Sequence, residues 1–247
     1  MDHTSAATRG LTEDRLLGGR VKLLQPRRGY RVAIDAVLLA AAIEAVPGAR
    51  VLDLGAGVGA VGLCLAARVA GCSVLGVELQ AELAGLAERS ALLNGLGDRV
   101  RTIVHDLVQD LPQGLGPFDV VATNPPYLPA SVADPSPDRS KALATVESSA
   151  DLARWLAVAC RAARPEGSLI MIHRADREAE IVDHLARLGW GDITIKRLPP
   201  AARVLVRARR HDGLLRRDSP ALLLHGPSGG YTAEAEAILR HAAPLAL

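Results

Sequence analysis

Residues 51–59 read Val-Leu-Asp-Leu-Gly-Ala-Gly-Val-Gly, and this stretch restricts the fold more than any other part of the chain. A short apolar strand runs straight into glycines at positions 55, 57 and 59, and an apolar segment of helical length follows. Glycines in such a turn permit φ > 0 and close approach of backbone to a ligand, and the helix N-terminus adds oriented N–H donors. The segment therefore reads as a strand–turn–helix unit with a ligand crevice at the carboxyl end of the strand.

The rest of the chain repeats the alternation. The pattern predicts strands at 50–54, 73–79, 99–106, 118–123, 168–173, 192–198 and 203–210, with helices at 34–46, 58–70, 81–93, 147–163 and 176–188. Strands separated by helix-length segments mean a mostly parallel sheet covered on both faces, and the two final consecutive strands mean an antiparallel pair at its edge. The expected fold class is α/β with seven strands. Ahead of the sheet, residues 20–33 alternate around Pro26-Arg27-Arg28-Gly29, a turn-rich centre suited to a hairpin. Three segments result: an extension over 1–47, the α/β domain over 48–212, and a tail over 213–247 with a short helix at 232–241.

Composition narrows the class. With 49% apolar and 23% charged residues over 247 positions, the chain has too much burial capacity to be disordered. Apolar runs such as Ala36 to Ile43 fall far short of the ~20 residues of a bilayer crossing, and Met1-Asp2-His3 does not open a signal peptide, so a cytoplasmic protein without a membrane partner is expected. Cys64, Cys72 and Cys160 have neither the number nor the spacing for a disulfide framework or a zinc site, and no metal is expected. The net charge of +2 hides two basic stretches. Residues 20–31 carry Arg20, Lys22, Arg27, Arg28 and Arg31 with no acid, net +5, and residues 196–217 carry net +7. Such segregation either steers a polyanion onto one face or marks solvated strands on unrelated faces.

Three carboxylates stand at successive strand ends. Asp53 lies inside the first strand, two positions before the turn at Gly55. Gly57, Gly59 and Gly62 match a dinucleotide pattern literally, but a carboxylate so close to the turn repels a pyrophosphate and favours a cationic ligand. Glu78, 19 residues after Gly59, is placed to accept hydrogen bonds from two ribose hydroxyls. Asp106 is placed to accept from an adenine amino group, with Leu107 beside the ring. His105, His173, Trp155 and Trp190 read as packing residues, and Tyr231 as either a tail anchor or a second aromatic near a substrate.

The fourth strand runs into Asn124-Pro125-Pro126-Tyr127. Two prolines after an asparagine fix the backbone and leave carbonyls outside any ladder, so the Asn124 side-chain oxygen and the Pro125 carbonyl can converge on one NH₂ group. Tyr127 offers a flat face for stacking. Asp53-Leu54-Gly55-Ala56-Gly57 together with Asn124-Pro125-Pro126-Tyr127 resembles the class I methyltransferases that use S-adenosylmethionine to modify planar amino or amide nitrogens. The segment KLLQPRRGYRVAIDAVLLAAA further resembles the entry region of bacterial tRNA (valine) adenine-N6 methyltransferase-like proteins, over roughly residues 11–210. Ala33-Ile34 before Asp35 departs from the small pair expected there, and the loop after Tyr127 carries extra prolines.

The resemblance implies a Rossmann-like seven-stranded sheet with S-adenosylmethionine as cofactor and RNA, tRNA foremost, as partner. It implies cofactor contacts at Asp35, Asp53, Gly55, Ala56, Gly57, Gly59, Glu78, Leu79, Asp106, Leu107 and Asn124. Asn124, Pro125, Pro126 and Tyr127 are the implied catalytic group, and Arg27, Arg28 and Arg31 are candidates for RNA phosphates. The implied reaction is methylation of the N6 amino group of adenine; guanine N2 in rRNA, a protein glutamine, or cofactor binding without turnover are the alternatives.

Overall fold

The computed structural model describes residues 10–29, 31–127 and 150–247. The Pro-rich loop past Tyr127 and the first residues of the helix expected from 147 lie outside them. Strands β1 (Leu11–Leu16) and β2 (Val21–Pro26) form a separate hairpin. Helix α1 (Ile34–Ala42) leads to β3 (Arg50–Leu54), α2 (Ala60–Arg68), β4 (Ser73–Glu78), α3 (Ala81–Leu93), β5 (Val100–Val104) and β6 (Phe118–Thr123). Then come α4 (Leu152–Ala162), β7 (Ala163–Arg174), α5 (Glu178–Arg187), β8 (Trp190–Arg197), β9 (Arg203–Arg210), β10 (Leu215–Ser219) and α6 (Ala233–His241). Among the described residues no helix is long and apolar enough to cross a membrane.

The main sheet has the order β10-β8-β9-β7-β6-β3-β4-β5. It is parallel except for β9, which runs antiparallel to both neighbours. The α/β class stands as expected, with one strand more than the sequence pattern suggested. That strand, β10, pairs parallel with β8 from within the segment assigned to the tail.

Side chains alternate between the two faces, as strand geometry requires. Val51, Val120, Ala122, Ile170 and Ile172 face a core shared with α1, α2, α3, the hairpin and α6. Leu52, Leu54, Phe118, Val121, Leu169 and Met171 face the core built with α4, α5 and Trp190. Each fully buried aliphatic side chain is worth about 1.5–3 kcal/mol of transfer free energy, so the two-sided burial holds the layers together. The described residues on either side of the sheet share the first core with it: Val21, Leu23, Leu224 and Ile238 are essentially sealed.

The hairpin differs from the expectation. It turns at residues 17–20, where Gly18 and Gly19 have φ of 65° and 97°, and Pro26–Gly29 is the exit from β2 instead. Two glycines at positive φ make the tighter reversal, and a Cβ on Gly18 would lie 2.7 Å from the Arg240 carbonyl oxygen.

The chain winds from β3 outward through β4 to β5 and returns to the other side of β3 as β6. That reversal opens a crevice at the carboxyl ends of β3 and β6, where ligands bind in open α/β sheets.

Candidate active site

The turn after β3 is held by its neighbour strand: the Gly55 and Ala56 N–H groups donate to the Val77 carbonyl at 2.8 and 3.0 Å. Gly55 has φ of 74°, and a Cβ there would stand 2.6 Å from Cη2 of Trp155, so the turn passes directly over the indole. Glu78 closes the turn from the far side. Its carboxylate accepts from the Gly57 N–H and the Gln80 N–H, each at 2.8 Å. One amide that a pyrophosphate would need is thereby already engaged. Thr123 Oγ1 donates to the Leu54 carbonyl at 3.0 Å and ties the ends of β6 and β3 together.

A cavity of about 480 Å³ lies over these strand ends, within the size range of small-ligand sites. It brings together Asp35, Asp53, Gly55, Ala56, Gly57, Glu78, Leu79, Asp106, Leu107, Asn124, Pro125, Pro126, Tyr127 and Arg31 from the sequence reading. Gly59 is not among its walls. It packs α2 on α3, since a Cβ there would meet the Ala87 Cβ at 3.0 Å. Arg27 and Arg28 are exposed at the hairpin exit and do not line the cavity. Arg31 reaches it while paired with Asp14 at 2.7 Å.

Trp155, expected only as core, is 8% exposed and also forms a wall. Arg203 was not foreseen, because nothing in its local sequence sets it apart from the other arginines of β9. The loop carrying Asp106 and Leu107 is braced from α4: Arg154 donates to the Leu107 carbonyl at 2.8 Å and the Val108 carbonyl at 2.6 Å. Asp106 Oδ1 caps its own turn by accepting from the Val108 N–H at 3.0 Å. His173 is buried behind the loop after β6, and desolvation pushes its pKa down to about 4, so the ring is neutral near pH 7. Tyr231 lies in a separate groove beside Gly18 and Gly19, and stacks on His225 with ring centres 4.9 Å apart.

The electrostatics of the floor are anionic. Burial, reinforced by the Glu78 charge, pushes Asp53 up to about 7. Burial also raises Glu78, against the N–H groups that donate to it. Asp53 Oδ2 is buried and without a hydrogen-bond partner among the described residues. Two desolvated carboxylates with no basic partner among the described residues make a place for a cation, and the donor set fits S-adenosylmethionine, which carries both a sulfonium and an ammonium.

The sheet order and the cavity at its switch point are those of the class I S-adenosylmethionine-dependent methyltransferase fold. Residues 31–136 match the family model of the methyltransferase small domain. The release factor glutamine methyltransferase of Deinococcus radiodurans is 35% identical over 170 residues, which cover 66% of this chain and 59% of that protein. The counterpart of Agrobacterium fabrum is 32% identical over 57% of this chain and 50% of its own length. The chain thus spans about half to three-fifths of those two relatives. The tRNA1(Val) (adenine(37)-N6)-methyltransferase of Porphyromonas gingivalis is 28% identical over 83% of this chain and 85% of that protein. Among solved structures, a predicted O-methyltransferase of Agrobacterium tumefaciens superposes with a TM-score of 0.70 and 26% identity, covering 86% of this chain and 99% of that one.

Proposed function

We propose that this chain transfers a methyl group to the exocyclic N6 amino group of an adenine in RNA, with tRNA as the substrate. The observation that carries the reading is the placement of Asn124–Tyr127. The tetrapeptide leaves the carboxyl end of β6 at the switch point of the sheet, Asn124 is exposed, and all four residues line the cavity that holds the glycine turn. In this reading Asp53, Gly55, Ala56, Gly57, Glu78, Leu79, Asp106 and Leu107 hold the cofactor. S-adenosylmethionine supplies an electrophilic methyl group on a positively charged sulfur.

The chain's own residues make the acceptor nucleophilic. The lone pair of an adenine amino group is delocalised into the ring. Asn124 Oδ1 and the Pro125 carbonyl would accept hydrogen bonds from its two N–H groups and would favour a tetrahedral nitrogen as it takes up the methyl group that the cofactor supplies. The displaced proton leaves to solvent after transfer. Tyr127 stacks on the base and offsets part of the cost of taking it out of its own stack. Positioning supplies most of the remaining acceleration.

Matching along 85% of the length of a tRNA adenine-N6 enzyme supports the RNA acceptor. The higher identity to release factor glutamine methyltransferases supports the amide of a glutamine side chain as a second reading. The deciding experiment is transfer of labelled methyl groups to total RNA that lacks this protein's modification, and in parallel to release factors, followed by mass analysis. The expected outcome is N6-methyladenosine, reduced at least a hundredfold in Asn124→Ala. Label confined to release factors would replace the adenine reading by the glutamine one.

A further inference from the structure

Arg203 joins three segments that are distant in sequence at one end of the cavity. Its guanidinium carbon lies over the Tyr127 ring, 5.2 Å from the centroid. Its Nε donates to Asp35 Oδ2 at 3.0 Å. Asp35 belongs to the first turn of α1, Tyr127 to the loop after β6, and Arg203 opens β9; all three line the cavity. The pair is largely shielded, with Arg203 and Asp35 side chains 26% and 20% exposed. Arg174, opposite Arg203 in the β7–β9 ladder, is held instead by Asp176 at 2.9 Å.

A guanidinium is planar, permanently charged and weakly hydrated, so it is suited to a ring face in a way that an ammonium is not. The bond to Asp35 holds it over the ring.

We infer that Arg203 is a positioning residue for the methyl acceptor, an inference that rests on the reading of Tyr127 as the stacking platform. The guanidinium covers one face of the tyrosine and the Asp35 carboxylate fixes the guanidinium, so the ring presents its other face to a planar acceptor at a set angle. The N-terminal extension thereby helps to define the acceptor slot without touching the acceptor.

The test has an activity arm and a spectroscopic arm. In the first, Arg203→Gln and Arg203→Lys are assayed on whichever acceptor the wild type methylates, RNA or release factor, so failure of the adenine reading is seen separately in the wild type. The expected result for Arg203→Gln is a loss of at least tenfold in kcat/KM for the acceptor with cofactor affinity within twofold, and for Arg203→Lys a smaller loss. In the second, the three tyrosines are replaced by 3-fluorotyrosine, and the fluorine signal of Tyr127 is assigned with Tyr127→Phe. Both Arg203→Gln and Asp35→Asn are expected to move that signal. An unmoved signal, unchanged kcat/KM, or a loss of cofactor affinity as large as the loss in kcat/KM would each overturn the inference.

Discussion

At Asp53 two physical demands conflict, and the conflict is measurable as a function of pH. The residue sits one position before the end of a core-lining strand, and its carboxylate faces a ligand cavity beside Glu78. With its pKa raised from 3.8 to about 7, the folded protein binds a proton that the unfolded chain has already released. Its contribution to stability is fully present below about pH 4 and is lost as pH rises through about 7. His173, with its pKa lowered to about 4, works in the opposite sense: the unfolded chain binds the extra proton, so stability rises with pH between about 4 and 6.5. The two partly cancel in the wild type. Subtracting the thermal stability of Asp53→Asn from that of the wild type, point by point from pH 4 to 8, removes the histidine. The difference is expected to fall with rising pH, and S-adenosylmethionine is expected to bind more tightly over the same range as Asp53 ionises. A difference that is flat with pH would show that Asp53 titrates normally.

The hairpin is fixed by side chains of a helix that stand in for a neighbouring strand. Asn94, just past α3, accepts from the Lys22 N–H at 2.9 Å and donates to the Lys22 carbonyl at 2.6 Å. Ser90 Oγ accepts from the Leu24 N–H at 3.0 Å. These bonds satisfy the outward backbone groups of β2 while Val21 and Leu23 go into the core. Asn94→Ala leaves two partly buried backbone groups without partners, so stability is expected to drop by about 1–3 kcal/mol. Hydrogen exchange at Lys22 is expected to accelerate more than at the strands of the main sheet. Equal acceleration throughout would mean that the hairpin is not separately anchored. Pro26–Gly29 is the turn that the sequence pattern suggests, whereas the hairpin reverses at Gly18 and Gly19 and β2 docks on α3. β10 escapes a sequence reading for a related reason. Leu-Arg-Arg-Asp-Ser is exposed almost throughout and carries no apolar alternation. It is held by backbone pairing with β8 and by charges: Arg217 with Asp192 at 2.6 Å, and Arg216 with Glu178.

Across the whole molecule, charge is sorted differently from what its linear distribution suggests. Most arginines of the stretch 196–217 have carboxylate partners: Arg197 with Glu178 and Asp218, Arg207 and Arg209 with Glu44, and Arg203 with Asp35. The exposed ones among these pairs, such as Arg197 with Asp218 and Arg209 with Glu44, add only about 0–1 kcal/mol each. Their larger effect is to offset most of the net +7 that could have attracted a polyanion. Arg27 and Arg28 remain exposed on the hairpin exit, next to Gly29 and Arg31, which line the cavity. If RNA is the substrate, replacing both by alanine is expected to weaken RNA binding at least fivefold and to reduce the slope of log affinity against log salt by up to about 2. Arg216→Ala with Arg217→Ala is expected to stay within twofold. Titrations at several salt concentrations measure both, and the opposite ranking would return the phosphate contacts to the second basic stretch.

The βαβ alternation, the glycine turn, Asp53 and Glu78 near their strand ends and the Asn-Pro-Pro-Tyr loop were legible in the sequence, because each is specified within a few consecutive residues, while Asp106, expected to end a strand, lies in the loop two residues past β5. Local sterics and hydrogen-bonding capacity are enough to place them. Gly59 as a packing glycine, Trp155 as a floor beneath Gly55, the parallel β10, and the Arg203–Tyr127–Asp35 contact were decided only by the tertiary structure. Each depends on side chains or strands distant in sequence meeting in space, and no short-range pattern encodes which of several arginines or glycines will find its partner.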